Sequence, residues 1–305
     1  MKIVYFSSSD IGAEILDFII NNSSHEIVVY SRNDKVRNRG KKILPTSVKT
    51  TALQHDLIVK TADRYDEIDI EFLKTFDPDI FILFSYGVIF NKELLDLPKY
   101  SCLNIHTSLL PNLRGASPIE TAILKDFEIS GISYMKMDEG LDTGDVYEMH
   151  KIDISDLRYI DFKNKIIDTI KSTILPLLDK IEKNTIVPNK QTGESSYAKK
   201  IKKDDLQIDF SNDAKMVYNK IRAFDDHLGA YTIISGIRYK LYDAELCEKQ
   251  ITPGNIEFGK DYMLIGAKNK SIKIKSIQME GKKKMKVSEF LNGRSLPPKV
   301  DNIDG

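Results

Sequence analysis

No tryptophan occurs in the 305 residues, and cysteine occurs only as Cys102 and Cys247. The missing Trp accompanies an excess of Ile, Lys, Asn and Asp, a compositional bias to which no function attaches. Two distant cysteines, with no CxxC pair and no histidines at ligand spacing, exclude a disulfide scaffold. They argue equally against a metal centre, so none is expected, and a reducing cytoplasm is the expected setting. Long apolar runs are missing too: the longest are strand-sized, far short of the ~20 residues a membrane span needs. Met1 opens directly on "KIVYF", with neither a charged-plus-apolar leader nor an Arg-rich presequence, so a soluble protein that works where it is made is expected. The first turn, "SSSDIG" (7–12), lacks G-x-G-x-x-G, which counts against a dinucleotide cofactor. Its Ser7–Ser9 and Asp10 read as helix-capping residues. A G-x-S-x-G nucleophile elbow is absent as well.

Net charge is also missing, with 45 basic against 45 acidic residues, but the balance is uneven along the chain. Residues 206–305 carry 17 Lys and Arg against 13 Asp and Glu, a surplus of four that residues 1–205 offset. Within the acidic part, residues 32–49 ("RNDKVRNRGKKILPTSVK") hold seven basic residues and one acid. Clustered Lys and Arg are ready contacts for phosphates, and a solvated surface loop is the competing reading.

Apolar content of 41% is enough for a true core, and the length suits two domains. "KIVYF" (2–6), "EIVVY" (26–30), "DIFILF" (79–84) and "CLNIH" (102–106) read as strands. Helical patterns lie between them, at 10–20, about 66–76 and about 91–96. This alternation predicts an open, Rossmann-like parallel sheet covered on both faces. A long amphipathic helix is expected over 157–182, with a kink at Pro176. Residues 190–206 have the composition of a linker. Beyond it the pattern changes to one helix, about 213–223, and many short strands, which predict a small OB-like β-barrel. The expected domains are 1–189, the linker 190–206, and 207–305.

Strand parity puts Asn104 and His106 on one side of a strand and at its end, where open α/β sheets bind their ligands. A second loop, "DEGLDTGDVY" (138–147), offers Asp142 between Gly140 and Gly144, which would let the loop approach another backbone closely. A satisfied structural histidine, or an acidic loop built on Asp138, Glu139 and Asp145, is the plainer reading of each segment. Taken together, an amide donor, an imidazole and a carboxylate suit acyl transfer without a protein nucleophile.

"NIHTSLLPNLRGASP" and "MDEGLDTGDV" together resemble the signature of the 10-formyltetrahydrofolate-dependent formyltransferases. That resemblance implies that Asn104, His106 and Asp142 are catalytic. It also implies that Ser108, Leu109, Leu110 and Pro111 line a folate site beside Ser85, Tyr86, Gly87, Val88 and Ile89. Four further stretches resemble the branch of the family that acts on initiator methionyl-tRNA: "NRGKKILPTSVK" (38–49), "SSYAKKIKKDDLQIDFS" (195–211), "IRAFDDHLGAYT" (221–232) and "QMEGKKKMKVSEFLNG" (278–293). The implied activity is formyl transfer from 10-formyltetrahydrofolate to the methionyl α-amine, with tRNA held by Arg39, Gly40, Lys41 and Lys42 and by Lys282, Lys283 and Lys284. The implied roles are oxyanion donors for Asn104 and His106, with Asp142 holding His106 or taking the amine's proton. A monomer is expected. Phe210, where the family usually has Trp, and the "DDHLGA" stretch depart from the family pattern, as does "SSSDIG". A sugar-nucleotide N-formyltransferase and a non-catalytic tRNA-binding protein are the alternatives.

Overall fold

Lys2–Ser7 (β1) is β-branched or aromatic at four successive positions, and Ile3, Val4, Tyr5 and Phe6 are all fully buried. A strand with both faces dry belongs inside a sheet covered by helices. The computed structural model, which describes residues 1–37, 42–293 and 295–301, places it there. Ser9 caps the next helix, Asp10–Asn22 (α1), its hydroxyl accepting the Gly12 N–H at 3.1 Å. Then follow Glu26–Ser31 (β2), the hairpin Lys35–Arg37 (β3) and Lys42–Leu44 (β4), helix Ser47–Gln54 (α2) and Ile58–Thr61 (β5). Helix Ile70–Phe76 (α3), Ile80–Phe84 (β6), the short helix Lys92–Leu95 (α4) and Ser101–His106 (β7) come next. Arg114–Gly115 (β8) leads into helix Pro118–Leu124 (α5), Ile129–Lys136 (β9) and Val146–Asp153 (β10). Helix Tyr159–Glu182 (α6) runs unbroken through Pro176.

The main sheet has the order β10-β9-β7-β6-β1-β2-β5. It is parallel from β7 to β5, and β9 joins β7 antiparallel, with His106 opposite Ser133. Strand–helix alternation does not reveal such a reversed strand at the side of a parallel sheet. Phe6 centres one core face, with the rings of Tyr30, Phe81 and Phe90 at 5.1, 5.1 and 5.0 Å. Such aromatic packing adds to burial worth about 1.5–3 kcal/mol per large side chain.

By contacts the chain divides into two units. The first comprises Met1–Gly115, Ser130–Ile152 and Lys163–Tyr197; the second comprises Ala116–Ile129, Asp153–Phe162 and Ala198–Gly305. Tyr197–Ala198 (β11) lies at that division. The second unit continues with helix Ala214–Phe224 (α7), Tyr231–Ile234 (β12), Ile237–Cys247 (β13), Ile256–Phe258 (β14) and Met263–Gly266 (β15). Ser271–Met279 (β16), Met285–Lys286 (β17) and helix Val287–Gly293 (α8) complete it.

Its sheet is antiparallel, in the order β12-β13-β16-β15-β14 with β17 on β16, and is the curled, half-barrel form of the expected small barrel. Residues 298–301 link its two end strands. The Ile256 N–H donates to the Pro298 carbonyl at 2.7 Å, and the Asp301 N–H donates to the Ile233 carbonyl at 2.8 Å. Helix α7 is tied to neighbouring segments by Arg222, only 2% exposed. Its guanidinium donates to Asn219 Oδ1 and Asp126 Oδ1, each at 2.9 Å, and to the Leu157 carbonyl at 2.8 Å. No helix among the described residues is long and apolar enough to cross a membrane.

Candidate active site

Because β6 and β7 are adjacent and parallel, the segments that follow them, 85–90 and 107–113, leave the sheet at the same end. Asn104 and His106 stand at that end of β7. The Asp142 loop folds back to them, and Gly144 explains how: a Cβ there would lie 1.8 Å from the Lys136 carbonyl oxygen, so only glycine admits the approach. Within the loop, Asp138 Oδ1 accepts from the Gly140 N–H at 3.0 Å and from the Thr143 hydroxyl at 2.7 Å, so that carboxylate shapes the turn. Asp142 itself adopts φ +52, the left-handed region.

The three side chains converge. Asn104 Nδ2 donates to Asp142 Oδ1 at 3.3 Å, and His106 Nδ1 lies 3.6 Å from Asp142 Oδ2. The Gly115 N–H donates to the same Oδ2 at 2.7 Å, a charge-assisted bond to a carboxylate only 11% exposed. His106, 6% exposed, places Nε2 2.9 Å from the Leu113 carbonyl. A carbonyl only accepts, so Nε2 carries a hydrogen and Nδ1 is the nitrogen turned toward Asp142. Among the described residues the second Asn104 amide hydrogen has no protein acceptor. The arrangement is an oxyanion donor beside a carboxylate and an imidazole that can exchange a proton. Cys102 shares the strand face of Asn104 and His106 but is buried, and burial pushes its thiol above the usual range, which suits packing and not nucleophilic attack.

Residues 1–169 match the family described as Formyl transferase, and residues 200–295 match Formyl transferase, C-terminal domain. The chain belongs to the formyl transferase family. Methionyl-tRNA formyltransferase of Thermodesulfovibrio yellowstonii is 33% identical over 303 residues, covering 99% of this chain and 98% of the relative. The enzyme of the same name from Thermotoga maritima is 35% identical over 301 residues, 97% of this chain and 96% of the relative. Among solved structures, the sugar 3N-formyl transferase WlaRD, determined with dTDP and 5-N-formyl-THF, superposes with a TM-score of 0.66 at 24% identity. That match covers 93% of this chain and 99% of the other, and the likeness is one of fold.

The other expected site residues of this family member fall into three groups. At the end of β6, Ser85, Gly87 and Ile89 are exposed and Val88 is half-buried, but the Tyr86 ring turns into the core, where its hydroxyl donates to the Ala62 carbonyl at 2.9 Å. After β7, Leu109 is half-buried, whereas Ser108, Leu110 and Pro111 are buried. The Ser108 hydroxyl donates to the Asn112 carbonyl, and the Leu110 N–H donates to Ser133 Oγ at 3.0 Å. Of the basic residues, Arg39, Gly40 and Lys41 lie outside the described residues, and Lys42 opens β4. Lys282 and Lys283 are exposed. Lys284 is instead held by carboxylates, 2.9 Å from Asp226, 3.6 Å from Asp225 and 3.9 Å from Asp243. The basic residues of 32–49 whose side chains are described are likewise paired: Arg32 and Lys35 with Asp63, and Lys49 with Asp34.

Sequence reasoning missed the main-chain groups of Leu113 and Gly115 and the side chains of Arg114 and Gln191. Arg114 stands within the first family motif, which assigns it no role, and Gln191 falls in the stretch of linker composition.

Proposed function

We propose that this protein transfers the formyl group of 10-formyltetrahydrofolate to the α-amine of initiator methionyl-tRNA. The observation that carries the reading is the convergence of Asn104, His106 and Asp142, in a chain alike over nearly its whole length to methionyl-tRNA formyltransferases. Membership of the formyl transferase family supports a folate-derived formyl donor, and 10-formyltetrahydrofolate is the specific donor proposed.

The acceptor brings its own nucleophile, since an α-amine of pKa ~7.7–8 is partly neutral at pH 7. Its nitrogen attacks the formyl carbon, a C–N bond forms, and the carbonyl electrons move onto oxygen. The free hydrogen of the Asn104 amide donates to that oxyanion, an interaction worth about 3–4 kcal/mol at the transition state. His106, its Nε2–H held by the Leu113 carbonyl, turns Nδ1 to Asp142, and the Asp142–His106 pair takes the proton shed by the amine. Collapse of the intermediate breaks the bond to N10, which accepts a proton and leaves as tetrahydrofolate.

In this reading residues 1–189 are the catalytic domain, 190–206 the linker, and 207–305 the tRNA-binding domain, in a cytoplasmic monomer. Ser85, Gly87, Ile89 and Leu109 line the folate site, with the backbone of the other expected positions. Arg39 to Lys42, Lys282 and Lys283 contact tRNA phosphates. The deciding assay offers initiator methionyl-tRNA, uncharged tRNA and an amino-sugar nucleotide as acceptors. Formyl transfer to the methionyl-tRNA alone is the expected result, and transfer only to the sugar would overturn the reading. His106→Ala is expected to cut turnover by at least a hundredfold with donor binding retained.

A further inference from the structure

The side-chain amide of Gln191 is engaged around the Asp142 loop, with its Nε2 also 3.8 Å from Met135 Sδ. Its Nε2 donates to the Asp142 carbonyl at 2.9 Å and to the Gly144 carbonyl at 2.8 Å. Its Oε1 accepts from Arg114, at 3.2 Å from Nε and 2.7 Å from Nη2. An amide has two N–H donors and two acceptor sites, so the set is complete, and the arginine fixes which end is oxygen. The residue after Arg114 is Gly115, whose N–H holds the Asp142 carboxylate. Five residues beyond Gln191, the Ser196 hydroxyl accepts the Leu113 N–H at 2.9 Å, and the Leu113 carbonyl is the partner of His106.

We propose that Gln191 is a positioning residue for catalysis, holding both ends of the Asp142–Gly144 turn so that the Asp142 carboxylate stays aligned with Asn104 and His106. The proposal rests on the formyl-transfer reading for its kinetics, but not for its geometry. Asp142 sits in the left-handed region, which aspartate tolerates but which leaves the direction of its side chain dependent on how the turn is held. Two carbonyls of one turn, bound to one rigid amide, supply that restraint. Released, the turn relaxes, and a carboxylate displaced by about 1 Å costs about a hundredfold in rate.

Two variants separate positioning from support of the fold. Gln191→Met removes all four hydrogen bonds at similar length. Gln191→Glu keeps the acceptor for Arg114 but presents an ionised oxygen to the two carbonyls. Both are expected to lower kcat by about a hundredfold, with KM for donor and acceptor within twofold of the parent. In an Asp142→Asn background, Gln191→Met is expected to cost less than a further twofold. A Gln191→Glu protein with the parent's kcat, or losses that multiply in the double variant, would overturn the proposal. Hydrogen exchange at the Gly115 amide needs no acceptor at all. It is expected to quicken at least tenfold in Gln191→Met while the amides of β1 stay unchanged, and an unchanged Gly115 rate would overturn the proposal. A parent enzyme inactive toward methionyl-tRNA, together with a quickened Gly115 amide, would overturn the substrate reading and leave the positioning role standing.

Discussion

Asp142 and Asp243 are both partly buried carboxylates surrounded by partners, and the partners differ in kind. Around Asp142 stand a main-chain N–H, a side-chain amide and an imidazole. Around Asp243 stand permanent cations, Arg158 at 3.4 Å, Lys286 at 3.7 Å and Lys284 at 3.9 Å, with Asp225 and Asp226 sharing Lys284. Neutral donors orient a carboxylate without cancelling its charge, whereas cations neutralise it and tie it to the fold. Burial pushes the Asp243 carboxyl up, but a hydrogen bond from Ser276 and the three cations outweigh that and hold it below the usual range. In the proposed function one carboxylate is placed to react, while the other braces the fold.

The largest test of that contrast is Asp142→Asn, which keeps the shape and the acceptor for the Gly115 N–H but cannot take a proton. Turnover is expected to fall by 10²–10⁴ with little change in melting temperature, and normal turnover would erase the distinction.

Asp243→Asn should do the reverse, leaving kcat intact and lowering the unfolding free energy by about 1 kcal/mol at pH 7. Its folded carboxyl is depressed, so its contribution is present above the unfolded value and lost as pH falls through the folded one. The two proteins should therefore converge in acid.

Asp225 has the opposite sign. It is 1% exposed, its Oδ1 has no hydrogen-bond partner among the described residues and only the Lys284 ammonium at 3.6 Å, and burial pushes its carboxyl up. Stability from this group is present below the ordinary carboxylate range and lost as pH rises through the raised folded value. Asp225→Asn should accordingly stabilise the protein by about 1 kcal/mol at pH 7 and by nothing near pH 3. Denaturant melts at the two pH values check both signs.

The smallest effect distinguishes lysines. Replacing Lys282 and Lys283 by Ala should reduce the salt slope of log KM for tRNA by about one unit for each phosphate no longer neutralised. Lys284→Ala should leave that slope nearly unchanged, because its charge is already matched within the fold.

The convergence of Asn104, His106 and Asp142 was legible in the sequence because its geometry is local in part. Strand parity aligns Asn104 with His106, and glycines announce the turn that carries Asp142. The sheet was legible because β1, β2, β6 and β7 are short apolar runs with helical spacing between them. What stayed hidden depends on long-range meetings. Gln191 reaches Asp142 across 49 residues, from a stretch whose composition says only that it is not helix or strand. A basic residue in a sequence does not show whether a carboxylate awaits it, so Lys284 reads the same as Lys283. Tyr86 reads as part of a ligand-lining run, yet its ring fills the space beside Phe6. Period and composition carry no information about such three-dimensional choices.

Arg222 meets Asp126 across 96 residues of chain, and α5 packs with α7 over the same separation. During synthesis, α5 therefore emerges with the apolar side chains of Ile119 and Ile123 made but α7 still untranslated. At about 5–20 residues per second the wait is roughly 5–20 s. For that interval Ile119 and Ile123 lack the helix that covers them in the finished fold, so the second unit closes only late in synthesis.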